Sequence, residues 1–276
     1  MLIDAHAHAA GEYSTAESIR STAKELGIEK IVLCTAPKNN LQIGRPPNIP
    51  GFKTPDSVFL LNRMLRLGYR FMSNNGDGNQ YVSMLRESLP GMVVPFLWVD
   101  PLDQQHLACL EQNLRNYQAK GIKLHQAWDA FAIDGPEFAQ VVDIARSYGL
   151  PVFIHLYSRS ETWKLRRFVA QNPGVTFIIA HMLGASVFKE DRRGLDNVYF
   201  DTSGSERIRG SDIAEAVRLF GYEHVIFGSD TPYGRIRDQI AKIERLHLPD
   251  EVKEHIFRRN MENILSACSG ICGAYR

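Results

Sequence analysis

The sequence predicts a single (β/α)8 barrel domain over residues 1–276, and three observations lead to that prediction. A length of 276 residues with 44% hydrophobic residues suits one large α/β domain. Eight short apolar segments alternate with amphipathic segments along the whole chain. The cores of the apolar segments, such as residues 31–33, contain almost no polar residues, which is typical of parallel strands buried on both faces.

The predicted elements follow one another in regular order. We assign strands to residues 2–8, 30–35, 92–99, 121–125, 152–155, 176–180, 198–201 and 225–228, and helices to residues 14–26, 55–67, 103–119, 136–148 and 211–220. The first helix opens with Ser-Thr-Ala-Glu, which predicts a capping box that starts at Ser14. A doubly wound open sheet is the alternative fold, but it normally carries a glycine-rich phosphate loop after its first strand, and none is present here.

Residues 36–54 form the longest segment without a predicted element and are rich in Pro, Asn and Gly. They follow the second strand, so in a barrel they would lie on the active-site face. Loops of this length are usually lids or disordered tips, and we favour a lid.

Charge and composition exclude several classes of function. The 32 basic and 31 acidic residues give a net charge of +1, with no basic stripe for nucleic acid. No apolar run approaches the ~18 residues that span a bilayer. The cysteines are scattered, which is typical of a reducing, cytoplasmic protein. We expect a small-molecule substrate and neither nucleic acid nor a membrane as a partner, and the sequence leaves a homodimer open.

The first strand ends in the most informative motif, Asp4-Ala-His6-Ala-His8. Side chains alternate between the two faces of a strand, so His6 and His8 project to the same side. Two imidazoles at the end of a buried strand can chelate a metal such as zinc. An isolated His-x-His motif is also common as ordinary polar sequence, so the choice between the two interpretations depends on the rest of the chain.

Four further predicted strands also end in ionisable residues that can bind a metal ion or transfer a proton. These residues are Lys123 and His125 on the fourth strand, His155 on the fifth, His181 on the sixth and Asp230 on the eighth. The carboxyl ends of all barrel strands surround one active site, so these side chains would converge. Each one alone has a structural explanation, since a strand-end histidine is often a rim residue and Asp230 could cap a helix.

Taken together, the pattern resembles the amidohydrolase superfamily. It is most similar to the amidohydrolase-2 branch, which includes aminocarboxymuconate semialdehyde decarboxylase and resorcylate decarboxylases. The resemblance rests on the Asp4–His8 motif, His155, His181 and Phe-Gly-Ser-Asp230, and it extends to the helix-like segment 260–265. This order of residues on successive strands is specific to the superfamily but not to a substrate.

The resemblance implies a centre with one divalent metal ion. His6, His8 and Asp230 would ligate the ion, and His155 would complete the site. We expect zinc, with manganese or iron as alternatives. His181 would either ligate a second metal or hydrogen-bond the substrate.

A second metal would depend on Lys123. Relatives with two metals bridge them through a carboxylated lysine or a glutamate on the fourth strand, and this chain has no glutamate there. Lys123 would bridge the metals if it were carboxylated, and otherwise it would be a cationic anchor for substrate or a lysine paired to a nearby carboxylate.

Other residues near strand ends are candidates for the pocket wall. His125 and Trp98 would contact substrate, and Arg235 would either bind a substrate carboxylate in a bidentate pair or lie exposed on the surface. Asp201 would orient a metal-binding histidine, and Ser203 would line the wall.

The implied activity is metal-dependent hydrolysis of an amide, ester, lactone or C–C bond of a small molecule. A divalent ion lowers the pKa of water to about 7. Asp230 would then accept and pass on a proton, and the metal or His181 would polarise a carbonyl and stabilise the developing oxyanion. The alternative is a nonoxidative decarboxylase of an unsaturated or aromatic acid, which a cationic pocket of Lys123, Arg235 and Arg45 would favour. The short chain favours the hydrolase.

Overall fold

The protein is a closed barrel of parallel strands surrounded by helices. The computed structural model describes residues 1–35, 54–69, 78–190, 195–204 and 207–268. In these ranges the strands are β1 (Leu2–His8), β2 (Ile28–Cys34), β3 (Val93–Pro95), β4 (Leu97–Trp98), β5 (Ile122–His125), β6 (Val152–His155), β7 (Phe177–Ile179), β8 (Val198–Asp201) and β9 (Val225–Ile226). Every strand of the sequence-based prediction is confirmed, and the predicted third strand corresponds to β3 and β4 together.

Two junctions close the strands into a ring. Strands pair in parallel in the order β1-β2-β3 and β4 through β9, and Phe96 connects the two runs, with its N–H bonded to Leu33 O at 3.0 Å. At the other junction the chain beyond β9 pairs with β1. Ala5 N donates to Phe227 O at 3.0 Å and His8 N donates to Thr231 O at 2.8 Å. The predicted (β/α)8 barrel is therefore confirmed, with its first and last strands adjacent.

The helices lie outside the ring. They are α1 (Ala16–Leu26), α2 (Val58–Tyr69), α3 (Gly78–Ser88), α4 (Gln104–Asn116), α5 (Gln126–Asp129), α6 (Pro136–Ser147), α7 (Arg159–Ala170), α8 (Ala185–Phe188), α9 (Gly210–Phe220), α10 (Ile236–Glu244), α11 (Asp250–Glu254) and α12 (Asn260–Ala267). The five predicted helices are confirmed to within a few residues. None of the helices in the described ranges combines the length and the apolar character that crossing a bilayer requires. The predicted lid over residues 36–54 lies outside the described residues except for its last position.

The capping box predicted to begin at Ser14 was wrong by one residue. Thr15 is the N-cap of α1, since its side chain accepts from Ser18 N and its own N–H donates to Ser18 Oγ, both at 3.1 Å. The backbone of Thr15 is extended, whereas Ser14 has helical angles because it ends the short 3-10 turn Gly11–Tyr13. A side chain caps a helix only from an extended residue, so the cap moves to Thr15.

Two apolar clusters fill the fold. The smaller one collects side chains from strands around the ring and from α12, and so forms the interior of the barrel (Ile3, Ala5, Val32, Phe96, Phe153, Ile178, Ile226, Met261). The larger one packs the outer strand faces against the helices. Because both faces of each strand are covered, the polar side chains are left to gather at the strand ends.

Gly121 packs directly against Phe96, the residue at the break in the third strand. A Cβ on Gly121 would lie 2.4–2.7 Å from ring atoms of Phe96. We expect Gly121→Ala to overpack this junction and lower the free energy of unfolding by about 1–3 kcal/mol in urea denaturation. Gly174→Ala is the matched control, because nothing lies within 4 Å of its added Cβ. Equal stability of the two variants would contradict this account of the junction.

Candidate active site

The structure brings five of the predicted site residues together at the carboxyl ends of the strands. His6 and His8 lie at the end of β1, His155 ends β6, and His181 and Asp230 follow β7 and β9. The distances between ring centroids are 5.5 Å for His8–His6, 5.1 Å for His6–His181 and 5.0 Å for His181–His155. The four imidazoles therefore form a continuous arc.

Two of these residues have left-handed backbones. The φ angle is 56° at His181 and 57° at Asp230. Non-glycine residues enter this region at a cost, and when they do they are often at functional sites. Backbone hydrogen bonds hold both, from Asp230 N to His6 O at 2.7 Å and from His181 N to Asp201 Oδ2 at 3.0 Å. Asp230 does not cap a helix, since α10 begins after Arg235.

The protonation of His6 follows from its two neighbours. Its Nδ1 lies 2.9 Å from Asp201 Oδ2, and its Nε2 lies 2.8 Å from Lys123 Nζ. Burial, and next the charge of Lys123, lower the pKa of His6 to about 3, so the ring is neutral. A carboxylate only accepts, so the one ring proton is on Nδ1 and the lone pair is on Nε2.

His8 has the same tautomer for a different reason. Its Nδ1 donates to the backbone oxygen of Thr35 at 2.8 Å, which leaves Nε2 unprotonated in the neutral ring. That Nε2 lies 3.4 Å from Asp230 Oδ1, and His6 Nε2 lies 3.7 Å from the same oxygen. The Nε2 atoms of both histidines thus face one carboxylate.

The ligand atoms of His6, His8 and Asp230, which we call the acceptor cluster, all lie within 4.8 Å of one another. Burial would raise the pKa of Asp230, but His181 and His8 hold it below its usual value, so the carboxyl is ionised. The unprotonated Nε2 of His6 and the ionised carboxylate of Asp230 are thus two acceptors 3.7 Å apart, and a cation between them would satisfy both. The donor set therefore fits a divalent metal, and two imidazoles with a carboxylate suit zinc, manganese or iron.

Lys123 enters the same space from β5. It is fully buried, its Nζ also lies 4.0 Å from the centre of the Phe153 ring, and burial lowers its pKa. Among the described residues no carboxylate lies within ion-pair distance of Nζ. Lys123 thus lies on the side of His6 where a metal would bind, and binding would require its amine to withdraw from Nε2.

His155 lies beside the acceptor cluster but outside it. Asn62 Nδ2 donates to Leu156 O at 2.9 Å, so the amide oxygen of Asn62 accepts from His155 Nε2 at 3.2 Å. The lone pair of His155 is therefore on Nδ1 in the neutral ring. Its role as a fourth metal ligand stays a prediction.

A column of stacked rings forms one wall. His125 lies between Trp98, at 5.5 Å and 6°, and His155, at 3.9 Å and 13°. Trp98 Nε1 donates to Asp129 Oδ2 at 2.9 Å, which holds the outer ring of the column. Burial lowers the pKa of both histidines, so these rings are neutral.

The arginine that the sequence predicts as a substrate contact is not the arginine that lies near the ends of β5 and β6. Arg235 is 65% exposed, and its Nε lies 4.0 Å from Asp238, so its side chain is not part of the acceptor cluster. Arg45 lies outside the described residues. Arg66, to which the sequence analysis assigned no role, donates to Gln126 O at 3.2 Å and lies 4.0 Å over the Tyr157 ring.

Arg66 and Asn62 share one face of α2, and that face covers the ends of β5 and β6. The only sequence signal for this pair is its i, i+4 spacing on a predicted helix. That spacing does not indicate which strands the helix would cover.

Asp201 contacts His6 because residue 228 is glycine. A Cβ at Gly228 would lie 2.5 Å from Asp201 Oδ1 and 2.7 Å from His6 Cβ. We expect Gly228→Ala to displace Asp201 from His6 and weaken zinc binding about 10–100-fold, measured by competition with a chelator. Gly174→Ala again serves as the control, and an unchanged zinc affinity in Gly228→Ala would show that this packing is not needed.

Comparisons with known proteins agree with this fold. No curated protein matches the chain. The solved structures with a similar fold include 5-carboxyvanillate decarboxylase from Sphingomonas paucimobilis, with a TM-score of 0.65, 13% identity and coverage of 96% of this chain and 98% of that one. Another is dihydroxybenzoic acid decarboxylase from Polaromonas sp. JS666 with bound manganese, with a TM-score of 0.66, 15% identity and coverage of 96% of both chains. A third is 4-oxalomesaconate hydratase from Rhodopseudomonas palustris, with a TM-score of 0.62, 16% identity and coverage of 97% and 96%.

These structural likenesses establish the fold. The family follows from the sequence itself, because the model of the amidohydrolase family named Amidohydro_2 matches residues 62–265. The chain belongs to this amidohydrolase family.

Proposed function

We propose that the protein is a metal-dependent, nonoxidative decarboxylase of a small aromatic or unsaturated acid. The observation that carries this proposal is the acceptor cluster of His6, His8 and Asp230, with His181 Nε2 4.0 Å from Asp230 Oδ2. A divalent metal bound there would hold an acidic substrate and withdraw electron density from it. His155 is the expected fourth ligand, through its Nδ1 lone pair.

The cationic groups near the acceptor cluster favour a substrate acid. Lys123 Nζ lies 2.8 Å from His6 Nε2, and the Arg66 guanidinium lies over Tyr157 near the ends of β5 and β6. A carboxylate substrate would therefore enter a pocket with positive charge at its base and near its mouth. Two of the similar structures named above are decarboxylases of hydroxylated benzoic acids, which supports the same choice over the hydrolase that the sequence analysis favoured.

His181 is the group that we expect to move the proton. The bond between the substrate carbon and its carboxylate breaks, the electron pair stays on carbon, and carbon dioxide leaves. The carbon then takes the proton from Nε2 of the protonated His181, which recovers a proton from water. Asp230 faces Nε2 and would stabilise the protonated ring.

We propose one metal ion per chain, either zinc as first expected or manganese, which the similar Polaromonas decarboxylase contains. A second ion would need carboxylation of Lys123. Its position over the Phe153 ring, beside the acceptor cluster, supports an amine that anchors substrate instead.

The experiment that tests the proposal combines metal content with product analysis. We expect wild-type protein to hold one metal ion per chain by plasma mass spectrometry and to release carbon dioxide from 2,6-dihydroxybenzoate or 5-carboxyvanillate. The double variant His6→Ala/His8→Ala should lose the metal and the activity, because it removes two of three acceptors. His247→Ala, at an exposed position, is the matched control and should keep both.

Two results would contradict the proposal. Metal-dependent cleavage of lactones, esters or amides, without carbon dioxide release from a panel of acids, would show that the protein is a hydrolase and not a decarboxylase. Full activity in the double variant would show that catalysis does not require the acceptor cluster.

A further inference from the structure

Ser203 is a fully buried hydroxyl just beyond β8, between two histidines of the site. Its Oγ lies 2.8 Å from His181 Nδ1, 3.1 Å from His6 Nδ1 and 2.8 Å from Asp201 Oδ2. Neither the acceptor cluster nor the stacked wall includes it. A hydroxyl has one hydrogen, so the partner that receives this hydrogen determines what the other partners must do.

Asp201 receives that hydrogen. Two backbone N–H groups already donate to the Asp201 carboxyl, His181 N to Oδ2 at 3.0 Å and Ser203 N to Oδ1 at 2.6 Å, so both of its oxygens accept, as in an ionised carboxylate. An ionised carboxylate is a stronger acceptor than a neutral imidazole nitrogen. His6 Nδ1 carries its own proton and cannot accept. Ser203 Oγ therefore donates to Asp201 and turns a lone pair towards His181.

His181 must then donate from Nδ1 to Ser203 Oγ. In the neutral ring this leaves the lone pair on Nε2, the atom that faces Asp230. The backbone N–H of His181 also donates to Asp201 Oδ2, at 3.0 Å. One carboxylate thus holds His181 at its backbone directly and at its ring through a hydroxyl, so rotation of the ring would break the chain of hydrogen bonds.

We propose that Ser203 is a positioning residue that links His181 to Asp201 and makes Nε2 the proton-exchanging atom of His181. When His181 gives its proton to the substrate carbon, an N–H bond at Nε2 breaks and a C–H bond forms. The ring returns to the neutral form with its proton on Nδ1, and Ser203 keeps its own hydrogen throughout. The identity of the reaction rests on the proposed function, whereas the tautomer of His181 does not.

The tautomer can be measured without turnover. Nitrogen-15 NMR of histidine-labelled protein, with diamagnetic zinc present, distinguishes protonated from unprotonated ring nitrogens, and His181→Gln identifies the signals. We expect His181 to carry its proton on Nδ1 and a lone pair on Nε2. A proton on Nε2 of the neutral ring, with Nδ1 free, would overturn the proposal even if the enzyme proves to be a decarboxylase. If the protein has the expected tautomer but no decarboxylase activity, the positioning role of Ser203 stands and only the proposed decarboxylase function is contradicted.

Variants test the consequence for rate. We expect Ser203→Ala to lower kcat about 10–100-fold with bound metal retained and KM changed less than about twofold, because Asp201 still holds His6 directly. Ser203→Thr keeps the hydroxyl and should restore both the rate and the wild-type tautomer. Thr202→Val is the matched control, since it removes a neighbouring buried hydroxyl that contacts Gly228 N, and it should keep a near-normal kcat.

A double-variant comparison separates positioning from general structural damage. In a His181→Gln background, Ser203→Ala should cause no further loss of kcat, because the two residues act as one unit. An equal loss in both backgrounds, or an effect on KM alone, would contradict the proposal. If Ser203→Ala fails to fold, the proposal is tested by the tautomer of His181 in the wild-type protein and by the kcat of Ser203→Thr. A neutral ring with its proton on Nε2, or a low kcat in Ser203→Thr, would contradict it.

Discussion

The buried charge of Asp201 is the constraint on which the rest of the site depends. An ionised carboxylate inside a protein costs several kcal/mol unless donors surround it. Here four donors do so: His6 Nδ1, His181 N, Ser203 N and Ser203 Oγ. Because the donors are neutral, the charge is satisfied without protonating the histidines. The Nε2 atoms of His6 and His181 therefore keep their lone pairs on the side of each ring away from Asp201.

The two left-handed residues are the second constraint. Such a conformation costs on the order of 1–3 kcal/mol at a non-glycine residue, so the surrounding structure has to enforce it. At Asp230 the enforcing contact is the hydrogen bond to His6 O, which also belongs to the closure of the barrel. The backbone of Asp230 is therefore held by one of the bonds that close the ring.

The sequence predicts the fold and the acceptor cluster because both depend on short-range periodicity. Apolar runs mark the strands, and a spacing of two places His6 and His8 on one side of β1. The end of a strand likewise marks His181 and Asp230 as pocket residues. These are local patterns, and a barrel converts them into one site by its topology alone.

What the sequence does not predict depends on distances that only packing sets. The spacing of Asn62 and Arg66 indicates a shared helix face but not the strands beneath it. The outward direction of Arg235 follows from the course of the chain after Asp230, and no periodicity encodes that course. The tautomers of the histidines depend on differences of a few tenths of an ångström between competing partners, as Ser203 illustrates.

The pairing of β1 with the chain beyond β9 has a consequence for how the site comes into being. His6 and Asp201 are 195 residues apart in sequence, and the acceptor cluster combines two residues of the first strand with one that follows the last strand. A chain that emerges from the ribosome holds the histidine pair long before it holds the remaining acceptor. Contacts of such separation form late in folding, because loop closure has to precede them. In the proposed metal centre all three acceptors would hold the ion only after the last strand has entered the ring, so occupancy by metal would report that the barrel has closed.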